Sequence, residues 1–344
     1  SDQNGNFTSE ICNGNKKQKV RLLSWVSGRI WKDVNPRLDK LHYSLGETCG
    51  KLTRALINFD HQEAHGTFEW DTANALWTQA HNHLFKKEEK KIISTFQKRF
   101  EQNLVSFKKL RQSIVHNDAN DHNIVVSNDL SNPKVISIID YGDAIYTQII
   151  NDVAIACCYA IMGHQDPLEA ALPIVSGYHS VFPLQEAELE HLSLSIAMRL
   201  VISYTCSVIN QTQEPENEYL QISSKSAWNL IEKWHDISPD FAHYSFRAAC
   251  GFPAHPNKEK FDNWAFENSF KVSNLFPTTK INELKHLDLS VSSKWLGHEE
   301  NFNDLSLFQY KIDKLQAQNP QKILSGGYLE PRALYTSSEY DKIG

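Results

Sequence analysis

The stretch Ile114–Ser127 reads IVHNDANDHNIVVS and sets His116, Asp118 and Asn123 in the spacing H-x-D-x-x-x-x-N. A second run, VISIIDYGDA from Val135 to Ala144, delivers Asp140 in a D-Y-G-D turn. Phosphoryl transfer from a nucleotide needs such a set. One carboxylate must orient and deprotonate an attacking hydroxyl, while an amide oxygen and another carboxylate hold magnesium against the phosphates. A tight loop exposes Asp118, the step to Asn123 returns the chain to the same side, and two short apolar strands fix the ends. The competing reading is a polar hairpin, because Asp and Asn crowd turns by hydrogen-bonding nearby backbone. Either motif alone is weak; the two together, each bracketed by β-branched apolar residues, are specific.

Those loops need helices to hold them. Leu41, Leu45, Leu52, Leu56 and Phe59 recur at three-, four- and seven-residue intervals, as do Ile92, Ile93, Phe96, Phe100, Leu104 and Phe107. Both runs are amphipathic core helices, with the charges of Lys86–Lys91 on the solvated face of the second. Helical patterns resume at Asn151–Met162, Pro167–Val181, Glu186–Thr212 and Tyr219–Trp234. The class is α+β: mostly helical, with the catalytic loops on a small β element. Arg199 lies in the apolar stretch IAMRLVIS. A buried guanidinium needs a partner, so it either pairs with an acidic side chain or meets an anionic group of a substrate.

Other polar residues carry less. His61 and His65 have helix-compatible ligand spacing, but Gln62 stands where an H-E-x-x-H zinc peptidase has glutamate. Asp143 could approach a second magnesium or contact substrate, or serve as an ordinary turn carboxylate. Asp152 precedes an apolar helical run and reads as a structural helix-start carboxylate. With 344 residues, 41% hydrophobic, 22% charged and a net charge of −6, the chain gives no reason to expect nucleic-acid or membrane partners. Six cysteines without C-x-x-C, and the lack of a leader or transmembrane run, point to a reducing cytoplasm. Cys157 and Cys158, inside an apolar run, read as packing residues.

At the quoted motifs the chain resembles the aminoglycoside phosphotransferase and choline kinase superfamily, whose loop usually reads H-G-D-x-x-x-x-N before a D-F-G-D-like turn. By eye it is most similar to the hydroxylysine kinase and type II homoserine kinase branch. The run Val20–Gly28, VRLLSWVSG, the pair Trp70–Asp71 and the segment Asn151–Ile161 also match, so the likeness spans roughly Val20 to Gly251. Asn117 replaces the usual glycine and Tyr141 the usual phenylalanine.

The resemblance implies the large lobe of a protein-kinase-like fold, using Mg2+ and ATP or GTP to phosphorylate a small-molecule hydroxyl. The acceptor is expected to be an amino alcohol or a hydroxy amino acid. Asp118 would be the base and His116 a support for the loop. Asn123 and Asp140 would hold magnesium, and Val125 and Ile139 would floor the nucleotide base. Val20–Val26 is expected to be a strand acting as a hinge, whose backbone at Leu22, Leu23, Ser24 and Trp25 meets the base. Residues 1–19 are too few for the family's small lobe with its phosphate-clamping lysine and read as a remnant hairpin beside Lys16, Lys17 and Lys19. The lobe proper is placed at 20–250, and by itself it is expected to be inactive, with the triphosphate held from one side. A kinase-like scaffold or sensor without catalysis is the alternative; intact Asp118, Asn123 and Asp140 argue against it.

Composition shifts at GFPAHPNKEK, so 251–344 is expected to be an extension leading toward further domains of the same polypeptide. Its end, SGGYLEPRALYTSSEYDKIG, resembles the lead-in to a lysostaphin-type peptidase domain in fusions that carry a class III aminotransferase-like domain. The peptidase metal motif is not in the sequence, and no peptidase activity is expected.

Overall fold

The computed structural model describes residues 8–13, 16–213 and 218–253. The sequence patterns in FDNWAFENSF, in HLDLSVSS and from Leu305 to Leu315, and all of the extension beyond Pro253, lie outside the described residues.

The first described elements are two antiparallel strands, β1 (Ser9–Asn13) and β2 (Lys16–Val20), in register from Ser9–Val20 to Asn13–Lys16. The expected strand over Val20–Val26 does not form. Pairing ends at Val20, and residues 21–27 take no regular structure; Leu22 is 98% and Trp25 91% exposed. Apolar character is not enough for a strand without a neighbour to accept its backbone hydrogen bonds.

Two long helices follow a short strand, β3 (Arg29–Ile30): α1 (Asp39–Leu56) and α2 (Lys87–Phe107), where the apolar spacing places them, except that Phe59 falls beyond the end of α1 and is 52% exposed. Between them Thr72–Leu84 winds through successive 3₁₀ turns, started by the Asp71 side chain accepting the Ala73 N–H at 3.0 Å. The β element between α2 and the later helices has four strands, two more than expected: β4 (Gln112–Val115), β5 (Ile124–Val126), β6 (Val135–Ile138) and β7 (Ile145–Gln148). With β3 they form two sheets, β3-β5-β6 and β4-β7, all pairings antiparallel. Helix α1 locks β6 in place, since Ser44 Oγ accepts the Val135 N–H at 3.0 Å.

The rest is helical: α3 (Ile150–Ala160), α4 (Pro167–Val181), α5 (Glu186–Gln213), α6 (Glu218–His235) and α7 (Pro239–Ala249), the last not foreseen. Asp-Pro and Ser-Pro start α4 and α7, with Asp166 and Ser238 accepting backbone N–H groups in the first turn. Beyond its first turn helix α3 is apolar, and it is buried, Cys157 and Cys158 included, so these two are packing residues. Helices α1 and α4 pack backbone to backbone. A Cβ on Gly46 would collide with the Ile174 carbonyl, and one on Gly177 with the Tyr43 carbonyl.

Helix α5 is long and apolar enough, by length and composition, to cross a membrane. It is packed by α2, α3, α6 and α7, which makes it the central core helix. Its first turn is anchored by Glu188, fully buried, which takes a bidentate pair from Arg111 at 2.8 and 2.6 Å just before β4.

Candidate functional site

The loop 116–123 joins β4 to β5, and the loop 139–144 joins β6 to β7. The backbone of one residue, Ile139, binds the two loops together. The Ile139 N–H donates to the Asn123 carbonyl at 2.9 Å, and the Ile139 carbonyl accepts from His116 Nε2 at 3.1 Å. Asn123, just before β5, and Asp140, just after β6, are thereby brought to one place.

That geometry also fixes the state of His116. A carbonyl only accepts, so Nε2 carries the proton; Nδ1 is the acceptor for the Asp118 N–H at 3.2 Å. Both nitrogens are committed in the neutral ring, and burial holds the pKa below the ordinary imidazole value. His116 is therefore built into the loop and has no lone pair left for a substrate proton.

Asn117 stands in the left-handed region at φ 62, which explains why glycine suits this position and why asparagine, among the other residues, can occupy it. It is fully buried, and neither side-chain amide atom has a hydrogen-bond partner. Asp152 sits in the first turn of α3 as expected. Its carboxylate, however, serves the loop: Oδ2 accepts the His116 N–H at 3.2 Å and Oδ1 the Asn117 N–H at 3.0 Å. Burial raises its pKa to about 6 against the pull of those two donors.

Asp118 receives three side chains. Asn120 Nδ2 donates to both of its oxygens at 3.0 Å, Asn123 Nδ2 to Oδ2 at 2.7 Å, and Arg199 Nη2 to Oδ1 at 3.3 Å. Burial moves its pKa upward. Arg199 and Asn120 oppose that shift, and Asp143 and Asp140 add to it, so the three carboxylates share one neighbourhood. An upward shift suits a group that must accept a proton near neutral pH.

Arg199 is the buried guanidinium inferred from IAMRLVIS, and of the two roles weighed for it the structure displays the ion pair. It is 1% exposed and its acidic partner is Asp118, 19% exposed. Its Nη1 donates to the Trp70 carbonyl at 2.6 Å, and its Cζ lies over the Trp70 and Tyr159 rings, 4.9 and 5.6 Å from their centroids. The Trp70–Asp71 pair is held in turn from β7 and α3, because Asp71 accepts Thr147 Oγ1 at 2.8 Å and Asn151 Nδ2 at 3.4 Å.

Asn123 and Asp140 suit a hard cation. With Nδ2 of Asn123 committed to Asp118, its Oδ1 is the arm left to coordinate. Asp140 is exposed in the left-handed conformation at φ 65, and only Oδ1 is engaged, by the Gly142 N–H at 3.1 Å. Among the described residues no three His, Cys, Asp or Glu side chains cluster as a metal site. Magnesium does not need one, since it takes one or two protein oxygens along with substrate phosphates and water.

The remaining expected residues fall apart. Val125 is buried on β5, where a side chain on Gly28 would run into it, and Ile139 is half-buried. Leu22, Leu23, Ser24 and Trp25 have no hydrogen bond to the catalytic loop among the described residues. His61 caps a short 3₁₀ turn and His65 pairs with Asp60 at 2.6 Å. Asn120 was missed, although its place two residues after Asp118 is a common side-chain-to-side-chain turn spacing.

A family model described as the phosphotransferase enzyme family, APH, matches residues 8–189. Hydroxylysine kinase of Mus musculus is 29% identical over 238 residues, covering 65% of this chain and 62% of that protein. Hydroxylysine kinase of Xenopus laevis is 30% identical over 243 residues, 65% and 64% respectively. The chain thus spans less than two thirds of the length of these relatives. A solved structure of a microcompartment-associated aminopropanol kinase shares the fold, with a TM-score of 0.50 at 15% identity over 72% of this chain and 74% of that one.

Proposed function

This chain belongs to the phosphotransferase enzyme family, and on that footing we propose that it transfers the γ-phosphate of ATP or GTP to a small-molecule hydroxyl. The acceptor class is an amino alcohol or hydroxy amino acid, a reading supported by the likeness to hydroxylysine kinases.

The observation that carries the proposal is the convergence of Asp118, Asn123 and Asp140 through the backbone of Ile139. Asp118 accepts the proton of the attacking hydroxyl. Asn120, Asn123 and Arg199 hold its carboxylate in one orientation, so the oxygen that takes the proton does not have to be found by rotation. His116 keeps the loop closed against Ile139, and Asp152 holds the same loop from behind through two N–H groups. Asn123 Oδ1 and Asp140 Oδ2 are the atoms that would hold magnesium. When bound, that ion neutralises charge on the transferring phosphate.

The test measures transfer of labelled γ-phosphate from ATP and from GTP to 5-hydroxylysine, homoserine, ethanolamine and 1-amino-2-propanol. It is run on this chain and on any longer natural polypeptide that contains it. Phosphorylated product from at least one acceptor is expected. Magnesium–nucleotide binding with no product from any acceptor would instead favour the scaffold or sensor reading; no binding at all would remove the site assignment.

A further inference from the structure

Asp71 is held more firmly than the start of a helical segment requires. Capping the turns of Thr72–Leu84 takes one bond, from the Ala73 N–H. The carboxylate, 4% exposed, accepts three more: Thr147 Oγ1 on β7 at 2.8 Å, Asn151 Nδ2 on α3 at 3.4 Å and Asn74 Nδ2 at 3.3 Å. A neutral serine or asparagine would cap as well without the cost of burying a charge, a cost that pushes this carboxyl above its ordinary pKa. The cation whose charge opposes that push is Arg199.

Arg199, in turn, is seated by residue 70 more closely than by its ion-pair partner. Nη1 meets the Trp70 carbonyl at 2.6 Å, and Cζ lies 4.9 Å from the centroid of the Trp70 ring. Asp118 receives one bond at 3.3 Å, and the buried Nε has no partner. A guanidinium fully docked on a carboxylate looks different in this protein: Arg111 gives Glu188 two bonds, at 2.8 and 2.6 Å. Arg199 thus steadies Asp118 without clasping it. The residue that seats Arg199 is the chain neighbour of Asp71, which is pinned to β7 and α3.

With Asp118 as the base, its charge is lost each time it takes the proton of a hydroxyl. A buried cation whose paired carboxylate has been neutralised is costly. Asp71 is a second carboxylate acting on the same guanidinium, and it keeps Arg199 compensated through that step.

We infer that Asp71 is a positioning residue for phosphoryl transfer: it fixes residue 70, shares the charge of Arg199, and through that guanidinium keeps Asp118 aimed and free to accept a proton. The role rests on the reading of Asp118 as the base.

Nitrogen-15 spectra of the arginine side chains in the whole chain test the positioning without any turnover. In the parent the two Nη groups of Arg199, bound to different acceptors, should give separate signals, identified by their loss in Arg199→Lys. Asp71→Asn, which removes the charge, and Thr147→Val, which keeps the charge and the shape of the β7 side chain but removes its bond to Asp71, should each shift or merge them. Steady-state kinetics test the consequence: Asp71→Asn should lower kcat by about tenfold or more, with KM for magnesium–nucleotide unchanged. In an Arg199→Gln background the same substitution should cost nothing further, because its effect passes through Arg199. A single averaged Nη signal in the parent, an Arg199 spectrum that neither substitution alters, or an undiminished loss in the Arg199→Gln background would overturn the inference. Should no acceptor be phosphorylated by the parent, the phosphotransfer reading fails and the role inferred for Asp71 goes with it, while separate Nη signals would still show that residue 70 seats Arg199.

Discussion

Asp152→Asn asks whether the catalytic loop hangs on a buried carboxylate. Both oxygens of Asp152 are in use, on the N–H groups of His116 and Asn117, and its pKa is raised from the ordinary 3.8 to about 6 by burial. The folded protein therefore keeps this proton to higher pH than the unfolded chain does. Stability from this group is fully present below 3.8 and is lost as pH rises through about 6. A rise of about two pKa units corresponds to about 3 kcal/mol, of which about 2 kcal/mol falls between pH 4.5 and 7.5. Asparagine does not titrate, and it presents one acceptor oxygen where two are used, so one buried N–H loses its partner at about 1–3 kcal/mol. The variant should fall short of the parent at pH 4.5 and recover about 2 kcal/mol of that gap at pH 7.5. Urea unfolding at the two pH values, extrapolated to water, measures both gaps. A gap that is constant, or that widens with pH, refutes the reasoning.

Three other substitutions separate the roles around Asp118. Asp118→Asn should retain magnesium–nucleotide binding and lower turnover by about 10²–10⁴-fold, as expected when a positioned proton acceptor is lost; an unchanged rate would remove it as the base. Asp140→Ala should abolish the rise in melting temperature given by magnesium–nucleotide, whereas Asp143→Ala should keep it; the reverse pattern in paired melting curves would show the metal ligand to be misassigned. Asn117→Gly relieves a left-handed backbone and removes two unpartnered buried amide atoms, so it should raise stability by about 1 kcal/mol in denaturant unfolding.

The grouping of His116, Asp118, Asn123 and Asp140 was legible because they sit on short loops whose spacing survives in the sequence. Helices α1 and α2 were legible for a similar reason, since their apolar residues repeat at the helical period over several turns. What escaped depends on distance along the chain. Asp152 looked like a helix-start carboxylate because its partners, His116 and Asn117, are about 35 residues away. The need of Arg199 for a partner could be inferred from its apolar neighbours, but nothing local points to Asp118, 81 residues back. Strand β7 and the turns of Thr72–Leu84 have no periodicity that separates them from loops. Val20–Val26 erred the other way, with strand-like composition and no strand to pair with.

The two backbone bonds of Ile139 have a consequence for how the loops breathe. The amides of His116, Asn117, Asp118 and Ile139 lie outside helix and sheet ladders, yet each has an acceptor in the structure. Such amides exchange with solvent only when their acceptors let go. Parting the bonds at Ile139 frees His116, and His116 in turn holds the Asp118 amide. The four should therefore exchange deuterium together, at one opening free energy close to that of the α3 core that bears Asp152. Measured without nucleotide, such a shared rate would mean that the loops carry their working shape into the encounter with ligand.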